Sequence, residues 1–67
     1  MKKITQNALN AKSFKSEGRA EIACVIMEFE TSAEWITAKA HGRWIPYCEI
    51  AGALYFIDDT NAPGVPG

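Results

Sequence analysis

The strongest structural signal in this chain is a pair of alternating apolar segments separated by two residues. Residues 44–50 (WIPYCEI) and 53–58 (ALYFID) flank Ala51-Gly52, a dipeptide suited to a two-residue hairpin loop. This spacing predicts a hairpin in which Ile50 faces Ala53, Cys48 faces Tyr55 and Tyr47 faces Phe56. Side chains alternate across a strand. One face is therefore predicted to carry Trp44, Pro46, Cys48, Ile50, Ala53, Tyr55 and Ile57, and the other Ile45, Tyr47, Glu49, Leu54, Phe56 and Asp58. Pro46 has no amide hydrogen, so strand 44–50 is expected at a sheet edge or with a bulge.

Residues 19–30 (RAEIACVIMEFE) form the other strongly apolar segment. Its β-branched and aromatic residues favour a strand buried on both faces. A helix remains the alternative, because apolar residues also recur at i, i+3, i+4 and i+7: Ile22, Val25, Ile26 and Phe29. We favour the strand, because the residues that follow resemble the start of a new helix.

That helix start is Thr31-Ser32-Ala33-Glu34, which has the pattern of a capping box. A helix is predicted over residues 32–41, ending at Gly42, with His41 in its last turn. The expected fold class is α+β: a small, mainly antiparallel sheet of three to four strands with one short helix, in the order (β)βαββ.

With 67 residues the chain makes one domain at most. We expect a basic N-terminal arm or edge strand over residues 1–18, an α+β core over 19–58 and a flexible tail over 59–67. Charge follows this division. Residues 1–19 carry a net charge of +4 and residues 20–67 a net charge of −5.

No sequence pattern for catalysis, metal binding or cofactor binding is present, so no catalytic residue, metal site or cofactor is predicted. Cys24 and Cys48 are expected as buried, reduced thiols in a cytoplasmic protein, because nothing marks the chain as secreted. No segment has the length of a membrane span.

The helix and sheet expected here leave apolar residues uncovered, which usually marks an interaction surface. A protein partner and a homodimer are therefore expected, with nucleic acid not favoured and no membrane association. Aromatic residues commonly anchor such contacts. The predicted partner-binding residues are Trp35, Lys39, Trp44, Tyr47, Tyr55 and Phe56.

The function expected from this pattern is that of a small non-enzymatic protein-binding module. Its size and acidic body suit an inhibitor of the phage or mobile-element type, which occupies a surface of a host protein or nucleoprotein complex in an anti-CRISPR-like mode.

Two alternatives remain open. The first is a small DNA-binding protein of winged-helix or excisionase type, with helices over 17–30 and 32–41 ahead of a hairpin. Its candidate nucleic-acid contacts are Lys2, Lys3, Lys12, Lys15 and Arg19. The second is an obligate subunit or antitoxin-like partner, whose apolar surface a cognate protein covers.

Overall fold

The computed structural model of this chain describes residues 4–59. A short strand, β1 (Ile4–Thr5), and a 3-10 turn (Ala8–Asn10) precede helix α1 (Glu17–Thr31). Three strands follow: β2 (Ile36–Ala40), β3 (Arg43–Ile50) and β4 (Ala53–Ile57). The strands form one antiparallel sheet in the order β1-β4-β3-β2, and α1 packs on one of its faces. The predicted α+β class, with a small antiparallel sheet and one helix, is confirmed.

The strand predicted for residues 19–30 is wrong, because this segment lies within α1. The helix begins after Ser16, whose hydroxyl accepts a hydrogen bond from the Arg19 amide at 3.3 Å. Its buried side chains follow the helical period: Ala20, Cys24 and Met27. Helical spacing prevailed over β-branching because this buried face has a sheet to pack against.

The helix predicted over residues 32–41 is also wrong, because β2 occupies that segment. Thr31 is the last residue of α1 and its hydroxyl donates to the carbonyl of Met27 at 2.8 Å, so it does not cap a new helix. Ser32 then adopts a left-handed conformation with φ of 60°, and its amide donates to the Glu28 carbonyl. This left-handed residue ends the helix and redirects the chain into the sheet.

The hairpin predicted at Ala51-Gly52 is confirmed. Both turn residues have positive φ, 54° at Ala51 and 83° at Gly52, as the favoured two-residue turn requires. The observed pairs match the expected ones: Tyr47 with Phe56, Cys48 with Tyr55, and Ile50 with Ala53.

The turn between β2 and β3 has the same conformation. His41 and Gly42 have φ of 54° and 74°. His41 was expected at a helix end, but it lies in this exposed turn, because the segment before it is a strand.

Pro46 lies in β3, between β4 and β2, and not at the expected sheet edge. Extending the β3–β4 register by one residue places Pro46 opposite Ile57. Because proline has no N–H, it cannot donate a hydrogen bond to the Ile57 carbonyl. The amide of Lys12 donates to that carbonyl at 2.8 Å. Phe14 exchanges two backbone hydrogen bonds of 2.8 Å with Trp44. The segment before α1 therefore lies between the diverging ends of β3 and β4. It supplies the hydrogen bond to the Ile57 carbonyl that proline cannot donate.

The core of the described residues lies between α1 and the sheet. Its buried members are Cys24, Met27, Trp35, Cys48 and Ile57, with Ile4, Ala23, Ala33 and Tyr55 packed against them. Most other large apolar side chains lie outside this cluster, several of them largely exposed. Apart from Asp59, the predicted flexible tail lies outside the described residues.

Ala51 is a point of backbone strain that a substitution should relieve. A left-handed conformation costs a residue with a Cβ atom about 1 kcal/mol, and asparagine tolerates it better than alanine. We expect Ala51→Asn to raise the free energy of unfolding by about 0.5–1 kcal/mol in urea titrations. The control is Ala8→Asn in the 3-10 turn, an exposed position without positive φ, which should not stabilise because there is no left-handed strain to relieve there. Equal effects at both positions would contradict the turn geometry.

Candidate protein-binding surfaces

Trp35 was predicted to contact a partner, but it belongs to the core, with 3% of its surface exposed. Its indole nitrogen donates to the Thr31 hydroxyl at 2.8 Å, and its backbone amide donates to the Glu28 carboxylate at 3.2 Å. The prediction rested on the direction of this side chain on a helix over residues 32–41, which does not form. Trp35 therefore anchors the connection between α1 and β2.

Three more of the predicted binding residues lie on the sheet face that α1 covers. Tyr55 packs against the core. Trp44 is half-buried, and the ammonium of Lys39 lies 5.6 Å from the centre of its ring. A cation over an aromatic face is a favourable contact within the fold. On this face Trp44 and Tyr55 are half-buried and Lys39 is exposed.

Tyr47 and Phe56 lie on the opposite face of the sheet, as the alternation predicted. Strand pairing places Ile36, Tyr47 and Phe56 in one row across β2, β3 and β4. Ile36 is 50% exposed and Leu54 is 48% exposed. We call this apolar surface the outer sheet face: Ile36, Ala38, Ala40, Ile45, Tyr47, Leu54 and Phe56.

A second apolar surface lies on α1, on the side opposite its buried residues. Its members are 46% to 86% exposed, and Phe29 is the most exposed of them. We call it the helix stripe: Ile22, Val25, Ile26 and Phe29. The set was not among the predicted partner-binding residues because residues 19–30 were predicted to be a strand, although the i, i+3, i+4, i+7 spacing was already visible in the sequence.

Two grooves of opposite charge border the helix stripe. One, of about 330 Å³, has Lys12 and Arg19 beside an apolar wall that includes Ile22 and Ile26. The other, of about 360 Å³, has Glu21 and Glu28 beside Val25 and Ile36. The α1 segment as a whole has four acidic residues and one basic residue, a net charge of −3. The helix stripe therefore lies between a basic groove and an acidic groove, on a helix that is acidic overall.

The basic residues predicted to meet nucleic acid have different surroundings. Lys12 pairs with Asp59 at 3.6 Å and lies 5.4 Å from the centre of the Phe14 ring. Lys15 and Arg19 are exposed. Lys2 and Lys3 lie outside the described residues.

Cys24 and Cys48 are free and buried in the core. Burial raises the pKa of both thiols above the ordinary value, and the nearby carboxylates of Glu28 and Glu21 raise the pKa of Cys24 further. A raised pKa keeps a thiol protonated, and so unreactive, at neutral pH.

Between residues 4 and 59 there is no group of three or more histidine, cysteine or acidic side chains placed to hold a metal ion. Within the same residues, no helix has the length and apolar character needed to cross a bilayer.

Thiol reactivity tests this burial. With Ellman's reagent at pH 8, both cysteines should react far more slowly in the native protein than in denaturant. A pKa raised by folding also means that stability present at neutral pH is lost as pH rises through the folded-state pKa. We therefore expect the free energy of unfolding to fall in alkaline solution. Equally fast modification of native and denatured protein would contradict the burial of the two thiols.

The hydrogen bond between Thr31 and Trp35 is expected to matter for stability. Thr31→Val removes the hydroxyl, so the buried indole N–H and the Ala33 amide lose their acceptor and the Met27 carbonyl loses this donor, which together should cost about 1–3 kcal/mol of unfolding free energy. Urea unfolding monitored by tryptophan fluorescence measures this. The control is Thr37→Val on β2, a half-buried threonine that should change stability by less than about 0.5 kcal/mol. Similar losses in both variants would show that the hydrogen bonds of the Thr31 hydroxyl are not the cause.

No known protein family, no curated protein and no solved structure matches this chain. A function is therefore inferred from the two apolar surfaces and the charges beside them.

Proposed function

We propose that this chain is a small protein-binding domain without catalytic activity, and that it contacts its partner through the helix stripe. The observation that carries the proposal is the exposure of Phe29, which is 86% exposed on a helix with three further exposed aliphatic residues. Contiguous exposed apolar side chains on one helix face usually mark a site where another protein packs.

The charge of α1 indicates the charge and polarity expected of the partner surface. Four apolar side chains on an acidic helix match an apolar groove or helix face bordered by lysine or arginine. Electrostatic attraction would speed the encounter, and burial of the apolar side chains would hold the complex together. The partner surface is therefore expected to be apolar in the middle and basic along the edge that meets Glu21 and Glu28.

Occupation of such a surface is the simplest mode of action. An acidic domain that covers a basic site competes with nucleic acid for that site. This mode is that of an inhibitor of the phage or mobile-element type acting on a host protein or nucleoprotein complex. A permanent subunit that shields its apolar surface in a cognate complex would use the same contact.

DNA binding receives less support from the charges. The winged-helix alternative needs a second helix over residues 32–41, where β2 lies. The helix that is present carries a net negative charge, which opposes contact with phosphates.

A pair of synthetic peptides tests the proposed contact chemistry. The first is an amphipathic helix with a leucine stripe bordered by lysine, and the second has the same leucines bordered by glutamate. Fluorescence anisotropy should show the lysine peptide binding at least about tenfold more tightly, a difference of about 1.4 kcal/mol. Added salt should reduce that preference, because exposed charges are screened.

Matched variants locate the contact. Phe29→Ser should weaken binding of the lysine peptide at least about tenfold, because aromatic residues dominate such interfaces. Leu9→Ser is the control, since Leu9 is 92% exposed and lies outside the helix stripe. Equal affinities for the two peptides, or equal losses in the two variants, would refute the proposed contact.

A further inference from the structure

We propose that the outer sheet face is a self-association surface, on which a second copy of this chain packs with its β3 antiparallel to the first. The outer sheet face lies opposite α1, so self-association through it is independent of the proposed contact through the helix stripe.

The composition of this face calls for a cover. Strands β2, β3 and β4 direct nine side chains outward, and seven of these are apolar. An antiparallel sheet with one solvated face normally alternates apolar residues inward and polar residues outward. This sheet is apolar on both faces, although α1 covers only one.

The charges on the face favour a second copy as the cover. Within the described strands, its charged side chains are Arg43 and Glu49, at opposite ends of β3. Six residues of strand separate them by about 20 Å. A two-fold axis that reverses the strand direction places each Arg43 opposite Glu49 of the partner subunit. A two-fold axis that keeps the direction would place like charges together, so the charges select one orientation.

The same orientation brings apolar residues together at the centre. The midpoint between Arg43 and Glu49 falls between Ile45 and Tyr47, which lie on the central part of the face. Sheets that pack face to face interdigitate such side chains at a separation of about 10 Å. The polar ends and apolar centre therefore match in a single arrangement.

The helix stripe is a poorer surface for self-association. Each copy of α1 carries a net charge of −3, so pairing two of them brings like charges together. Pairing through the outer sheet face leaves both helices on the outside of the dimer. Each dimer would then present two helix stripes.

Sedimentation velocity over a concentration series tests the surface. The wild-type chain should sediment as a dimer, and Leu54→Asp should sediment as a monomer, because it places a charge on the apolar face. Leu9→Asp is the matched control and should remain dimeric, since Leu9 is exposed outside this face. Circular dichroism confirms folding of each variant. A monomeric wild type, or a dimer that survives Leu54→Asp and dissociates on Val25→Asp, would overturn the proposal.

A charge exchange tests the orientation. Arg43→Glu and Glu49→Arg should each weaken the dimer at least about tenfold, and the double variant should restore affinity to within about threefold of wild type. Arg43 also donates two hydrogen bonds to Ser13, one to its hydroxyl at 2.5 Å and one to its carbonyl at 3.2 Å. Replacing Arg43 removes both hydrogen bonds from the single variant and from the double variant alike, so restoration in the double variant reports on the pairing between subunits. Failure to restore the dimer would overturn the proposed arrangement.

Discussion

The arrangement of helix and sheet depends on how Trp35 is held. Its indole nitrogen binds the hydroxyl of Thr31 and its backbone amide binds the Glu28 carboxylate, so one residue is joined to two successive turns of α1. The ring itself is buried between the helix and the sheet. Because Trp35 immediately precedes β2, this anchoring directs the chain from the end of the helix into the sheet edge. It also determines which face of the sheet the helix covers.

Because the domain is small, one helix covers only one face of the sheet, and other apolar side chains stay at the surface. A small domain buries a limited fraction of its surface, and oligomerisation or a partner commonly compensates. Here the core comprises a few buried residues, while the helix stripe is exposed and the outer sheet face is partly exposed and partly half-buried. The two surfaces differ in charge pattern, one net acidic and the other with opposite charges at its ends. That difference is the physical basis for assigning the first to a foreign partner and the second to a second copy.

Pro46 shows how a local restriction shaped the long-range topology. Proline removes one donor from the middle of a sheet, and the segment before α1 supplies the replacement through the amide of Lys12. The sequence predicted a sheet edge or a bulge at this position, whereas Pro46 lies within the sheet. The sequence did not indicate which group would replace the missing donor, because the amide of Lys12 lies 34 residues earlier in the chain.

The sequence by itself determined the elements whose geometry is local. The Ala51-Gly52 hairpin, its register and the two faces of its strands depend on turn conformation and on the alternation of neighbouring side chains, and these were predicted correctly. The tertiary structure decided which of two periodicities residues 19–30 would follow and whether Thr31 would end a helix or begin one. It also decided which aromatic residues lie inside. The aromatic residues on the face that α1 covers are Trp35, Trp44 and Tyr55, and those on the opposite face are Tyr47 and Phe56. The position of one helix determines which face of the sheet is covered. That position depends on contacts between residues that are distant in the chain.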